Sequence, residues 1–298
     1  MLILINVSGF FSNFFKVLNW ELVNNNNNVI VPYFINRSMK YITVDYANYI
    51  DTKIYEDTDN IWEKMFCPIY EYNNNDLLDK NNRFSWDYPK GNQNIFPYPL
   101  NNFKNGYIFC EYTIYNHPLL PQIRQLYYEC YNKFKWTPYL KNHIENNLKI
   151  IPHPKKTVAV FLRYTGHYIG VKEYLKNTIE ELKVIMQNYE KLFLVTMIKT
   201  VVKEFTDVFG DKIIFLQDKN MVETLNHDWG GVFVNNTYTA LEINDYMKEC
   251  VQCFTDVYLA STCDYILGGS SNMLLGALII NPTVKFKILD VFSNVNGS

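Results

Sequence analysis

The second half of the chain alternates short apolar runs with amphipathic ones, and that alternation limits what it can fold into. Apolar runs at 157–162, 191–196, 212–216, 264–267 and 284–289 have the length and β-branched content of strands. Between them, 171–188, 201–209, 242–259 and 271–280 carry apolar residues at helical spacing, with Gly210 placed to end the second of these helices. In 242–259 the helical face is Ile243, Tyr246, Met247, Cys250, Phe254, Val257 and Tyr258. Strands that alternate with helices predict an α/β fold, a mostly parallel sheet with helices on both faces. In such a sheet a ligand sits off the carboxyl ends of the strands.

The first half starts the same way. Residues 2–7 predict a strand and 11–23 a helix, with Phe11, Phe14, Phe15, Leu18 and Leu22 on one face. A second strand is expected at 29–34. From about 40 to 120 the pattern is irregular, and 72–102 reads as a long loop of polar, aromatic and Pro residues. The aromatics of 72–115 suit core packing more than a sugar-stacking platform. Helices are expected at 121–134 and 143–150. The Pro-rich stretch at 151–156 then sets the domain boundary, giving domains 1–153 and 154–298.

Composition removes several classes of function. The 298 residues are 48% hydrophobic and 16% aromatic, far from the make-up of a disordered chain. With 28 basic and 30 acidic residues the net charge is −2, which leaves no cationic surface for nucleic acid. No apolar stretch reaches the ~20 residues a membrane span needs, and residues 1–11 lack the basic start and cleavage site of a signal peptide. The six cysteines include one close pair, Cys250 and Cys253, on a helical pattern without a second metal-binding pair. Reduced thiols and a cytoplasmic setting are the expectation. The 37 asparagines fit AT-rich coding and not a chemical need, so the sequons at Asn6, Asn36, Asn235 and Asn296 carry little weight.

Only four residues are Arg: Arg37, Arg83, Arg124 and Arg163. In a chain that otherwise uses Lys, an Arg is worth noting for its planar fork, which grips phosphate bidentately. Arg163 directly follows the predicted strand 157–162 and leads into Tyr164, Thr165, Gly166 and His167. A second strand end runs Gly268, Gly269, Ser270, Ser271, Asn272 into a helix. Small residues there leave backbone N–H groups and hydroxyls for a phosphate at the helix N-terminus. Arg163, His167, Gly269, Ser270, Ser271 and Asn272 are therefore the candidate nucleotide-binding residues. Asn235, Asn236 and Tyr238, in the long connection before 242, are candidates for recognising the base. The chain has no GxxxxGK[ST], GxGxxG, GxSxG or HExxH, and no DxD assignable to a metal–nucleotide site. A diphosphate held by Arg, Ser and backbone N–H groups without metal is the coherent picture.

These residues carry a family resemblance. VAVFLRYTGHY (158–168) resembles the strand-end motif of the α1,2-, α1,6- and protein O-fucosyltransferase group, and DVYLASTCDYILGGSSNMLLGA (256–277) is similar to its last motif. The resemblance covers roughly 156–290. It implies a GT-B fold, two Rossmann-like domains facing a cleft, with the nucleotide sugar in the C-terminal one. It also implies inverting transfer of fucose from GDP-fucose to a hydroxyl of a glycan or protein, with no metal or cofactor. Arg163 falls on the motif Arg that contacts the diphosphate and would be catalytic. Ser270, Ser271 and Asn272 fall on the motif around diphosphate and ribose. At three positions the chain departs: Phe161 replaces the family His, Tyr164 its second Arg and Gly166 its Asp. Those departures leave two alternatives, another nucleotide-sugar donor or a catalytically silent GT-B-like binding protein. For the acceptor's base, Asp45, Glu63 and His117 are candidates without a choice among them, and His117, beside Pro118, suits a structural role better.

Overall fold

The computed structural model describes residues 2–5, 10–23, 30–34, 60–68, 70, 83–84, 115–162, 171–217, 221 and 246–289. The chain divides into two compact units. One comprises Met1–Phe109, Asn116–His143 and Val234–Val251, the other Cys110–Tyr115, Ile144–Phe233 and Gln252–Ser298.

In the first unit, β1 (Leu2–Ile5) lies between β2 (Ile30–Tyr33) and β3 (Arg83–Phe84), all parallel. The short strand β3 lies inside the stretch read from sequence as loop. Two residues are too few to show a period. Helix α1 (Phe10–Val23) connects β1 to β2 and is buried more completely than its pattern implied. Phe11, Phe14, Phe15 and Leu18 are in the core, but so are Asn13, Lys16 and Asn19, while Leu22 is half-buried. Asn19 is satisfied across the core, where its Oδ1 accepts a hydrogen bond from the Tyr127 hydroxyl on α3 (Leu120–Tyr131).

Residues 60–66 form a second element that sequence periodicity missed. Helix α2 (Ile61–Met65) has only five residues, too short for a repeat, and it stands on its cap. Asn60 Oδ1 accepts from the amides of Trp62 (3.1 Å) and Phe34 (2.9 Å), and its Nδ2 donates to the Pro32 carbonyl (2.9 Å). One buried amide thus starts a helix and fastens it to β2. Trp62 then packs with Phe14, Phe34, Phe66 and Phe134 at ring-centre distances of 4.6 to 6.0 Å. Helix α4 (Pro138–Leu148) follows α3.

Lys16 is costly in such a core. Burial lowers its ammonium to about 8 from the usual 10.5. An unfolded chain keeps that proton up to 10.5, so between 8 and 10.5 the unfolded state binds more protons and rising pH favours the fold through this group. Below about 8 both states are charged and the burial cost is felt in full. Lys16→Met is therefore expected to raise the urea midpoint at pH 7, with the gain shrinking toward pH 10. No gain at pH 7, or a gain that grows with pH, would contradict this reading.

The second unit is a five-stranded, wholly parallel sheet in the order β6-β5-β4-β7-β8. Its strands are β4 (Thr157–Phe161), β5 (Lys191–Val195), β6 (Ile213–Ile214), β7 (Tyr265–Gly268) and β8 (Lys285–Ile288). Helices α5 (Val171–Ile185) and α6 (Lys199–Phe209) connect β4, β5 and β6. Both pack on one face, where Val158, Val160, Leu162, Leu192 and Leu194 alternate inward with Leu175, Leu182, Val201 and Phe205. Gly210 closes α6 at φ 58°, a backbone only glycine takes readily. On the other side, α7 (Tyr246–Thr262) precedes β7, and α8 (Asn272–Ile280) connects β7 to β8. Asn281 Nδ2 donates to the Ser261 carbonyl (2.7 Å), tying those two helices. Every described residue of α8 from Met273 to Ile280 is buried, which its unbroken apolar sequence requires. No helix among the described residues is long and apolar enough to cross a membrane.

Candidate active site

The sheet order reverses between two strands. From β4 the chain moves outward through β5 to β6, and then returns to the other side of β4 with β7 and β8. Two crossovers that leave in opposite directions part at their strand ends, and the crevice between them is where open α/β sheets take ligands. Here the crevice lies off the carboxyl ends of β4 and β7. Phe161 and Gly268, the last residues of the two strands, are register partners. Leu162 still belongs to the sheet, its amide donating to the Val195 carbonyl at 3.0 Å. Arg163 is the next residue in the chain. The two segments singled out by sequence therefore start from neighbouring strands at one edge.

The turn after β7 has separate tasks for its residues. Gly268 serves the sheet: a Cβ there would stand 2.7 Å from the Phe161 carbonyl oxygen, 2.9 Å from Phe161 Cβ and 3.1 Å from Leu274 Cδ1. Ser271 is the N-cap of α8, in extended conformation (φ −159°, ψ 154°). Its hydroxyl accepts from the Leu274 amide at 3.2 Å, and its carbonyl accepts from the Leu275 amide at 3.0 Å.

A residue that sequence analysis did not single out completes the turn. The buried Tyr115 hydroxyl donates to the Ser271 carbonyl (2.9 Å) and accepts from the Ser271 amide (3.3 Å). Its ring lies 6.4 Å from that of Phe286 on β8. Tyr115 was one aromatic among many in an aromatic-rich stretch, and no local pattern ties it to a turn 156 positions on.

At the start of α8 the Ser271 amide thus goes to Tyr115 and the Leu274 amide to the cap hydroxyl. This turn lies at the positive end of the helix dipole. Gly269, Ser270, Ser271 and Asn272 are together at this strand end. Arg163, His167, Asn235, Asn236, Tyr238 and Asp45 lie outside the described residues. Glu63 is on α2 in the first unit, half-buried. His117 shapes the turn into α3, with its Nδ1 accepting from the Leu119 amide (3.2 Å) and its carbonyl from the Leu120 amide (2.9 Å). Cys250 is buried on α7 and Cys253 half-buried. Among the described residues no cluster of three or more His, Cys, Asp or Glu could hold a metal ion.

Topology and turn together define a parallel α/β fold with a switch point between β4 and β7. No protein-family model matches the chain, and no curated protein sequence does. Solved structures do, and they give it a fucosyltransferase-like fold. NodZ alpha-1,6-fucosyltransferase soaked with GDP-fucose superposes with a TM-score of 0.51 at 11% identity, over 94% of this chain and 93% of that one. The same enzyme co-crystallised with GDP gives 0.52 at 11%, over 97% and 95%. NodZ from Bradyrhizobium gives 0.51 at 10%, over 94% of each. At such identities the likeness is one of fold.

Proposed function

We propose that this chain is a glycosyltransferase that moves fucose from GDP-fucose to a hydroxyl of a glycan or protein, with inversion and without a metal. The observation that carries the reading is that β4, after which Arg163 follows in sequence by two residues, pairs at its end with the strand leading into the Gly269–Asn272 turn, in a fold like that of an enzyme soaked with GDP-fucose. In this reading the whole is a GT-B enzyme. Residues 1–153 serve the acceptor, and 154–298 hold the donor.

The chemistry follows from where charge develops. Breaking the anomeric C–O bond leaves negative charge on the β-phosphate, and preorganised donors stabilise it best. Arg163 supplies a fork of N–H donors, and Ser270 and Ser271 supply hydroxyls. The amino end of α8 adds the positive end of its dipole. These groups provide the positive potential that a metal supplies in other transferases. His167 is a further donor on the Arg163 side, and Asn235, Asn236 and Tyr238 recognise the base. A glycan or protein hydroxyl needs a base to accept its proton.

One observation favours a second reading, a silent GT-B-like binding protein. Phe161, in place of the family's His, is 1% exposed and packed against the Gly268 strand end, so that position offers no polar group to a substrate. Calorimetric titration with GDP, GMP and UDP, with and without EDTA, followed by GDP release from GDP-fucose, separates the readings. GDP bound more tightly than UDP, insensitive to EDTA, with donor turnover, is expected. GDP bound but never released from GDP-fucose would favour the silent protein, and a preference for UDP would remove fucose.

A further inference from the structure

We draw no further inference here: the strongest candidate, the side-chain cluster of Lys16, Asn19, Arg124 and Tyr127 buried on α1 and α3, carries nothing because both of its cations are engaged in interactions of their own and nothing in the structure shows a ligand that they would meet.

Discussion

Arg163→Ala is expected to slow GDP release from GDP-fucose by about 10²–10³, the cost of removing one preorganised oxyanion donor. In sequence the residue follows Leu162, whose amide donates to the Val195 carbonyl at the end of β5. A preorganised cation is most effective against charge that exists only in the transition state. Arg163→Lys keeps the charge and loses the fork. It should recover only part of the rate, because an ammonium cannot bond two phosphate oxygens in one plane. Single-turnover release of GDP, measured without acceptor, reads the effect directly. A rate within threefold of wild type in Arg163→Ala would remove the residue from the chemistry, about 0.6 kcal/mol being too little for such a role.

The second large effect is on the fold. Gly268→Ala is expected to cost about 3 kcal/mol, the upper end of overpacking, because two of the three crowding atoms belong to the β4 strand itself. A flexible side chain could swing aside from a new methyl group. The Phe161 carbonyl oxygen at 2.7 Å cannot, so β4 and β7 must separate where they would frame the donor. Gly210→Ala is the comparator: it is strained only by its φ of 58°, with nothing within 4 Å of the added carbon. Thermal denaturation followed by near-ultraviolet circular dichroism should show the larger drop for Gly268→Ala. Equal midpoints for the two variants would mean that the sheet yields more easily than this packing implies.

The second unit was legible because its elements are regular. The expected strand at 157–162 is Thr157–Phe161, and the expected helix at 271–280 is Asn272–Ile280 capped by Ser271. Each is an apolar run with punctuation beside it: Pro154 precedes the strand, and Ser271 and Pro282 flank the helix. Less was legible in the first unit. Helix α2 depends on the three bonds of Asn60 to residues up to 28 positions away, and β3 on pairing with β1. Neither signal is local. At the site, the Gly-Gly-Ser-Ser turn was visible in the sequence, but the division of labour within it was not. Gly268 answers to a neighbouring strand and Ser271 to its own helix, while Tyr115 arrives from far along the chain. Sequence spacing shows which residues are small or polar, and only the fold shows which of their hydrogen bonds are already taken.

The margins of the five-stranded sheet have a consequence for how the protein behaves in a crowded solution. An exposed strand edge is a template onto which another chain can add, the first step toward aggregation. Among the described residues β6 ends one side with only two residues, and β8 ends the other with Lys285 and Lys287 on its exposed positions. Lys287 is drawn to Glu181 at 2.7 Å and Lys285 lies 3.9 Å from Asp264, so the charges stay at the rim. A second copy approaching β8 would have to strip water from both ammonium groups before gaining any ladder bond. Among the described residues, the margins of the sheet are thus set against the addition of a further strand.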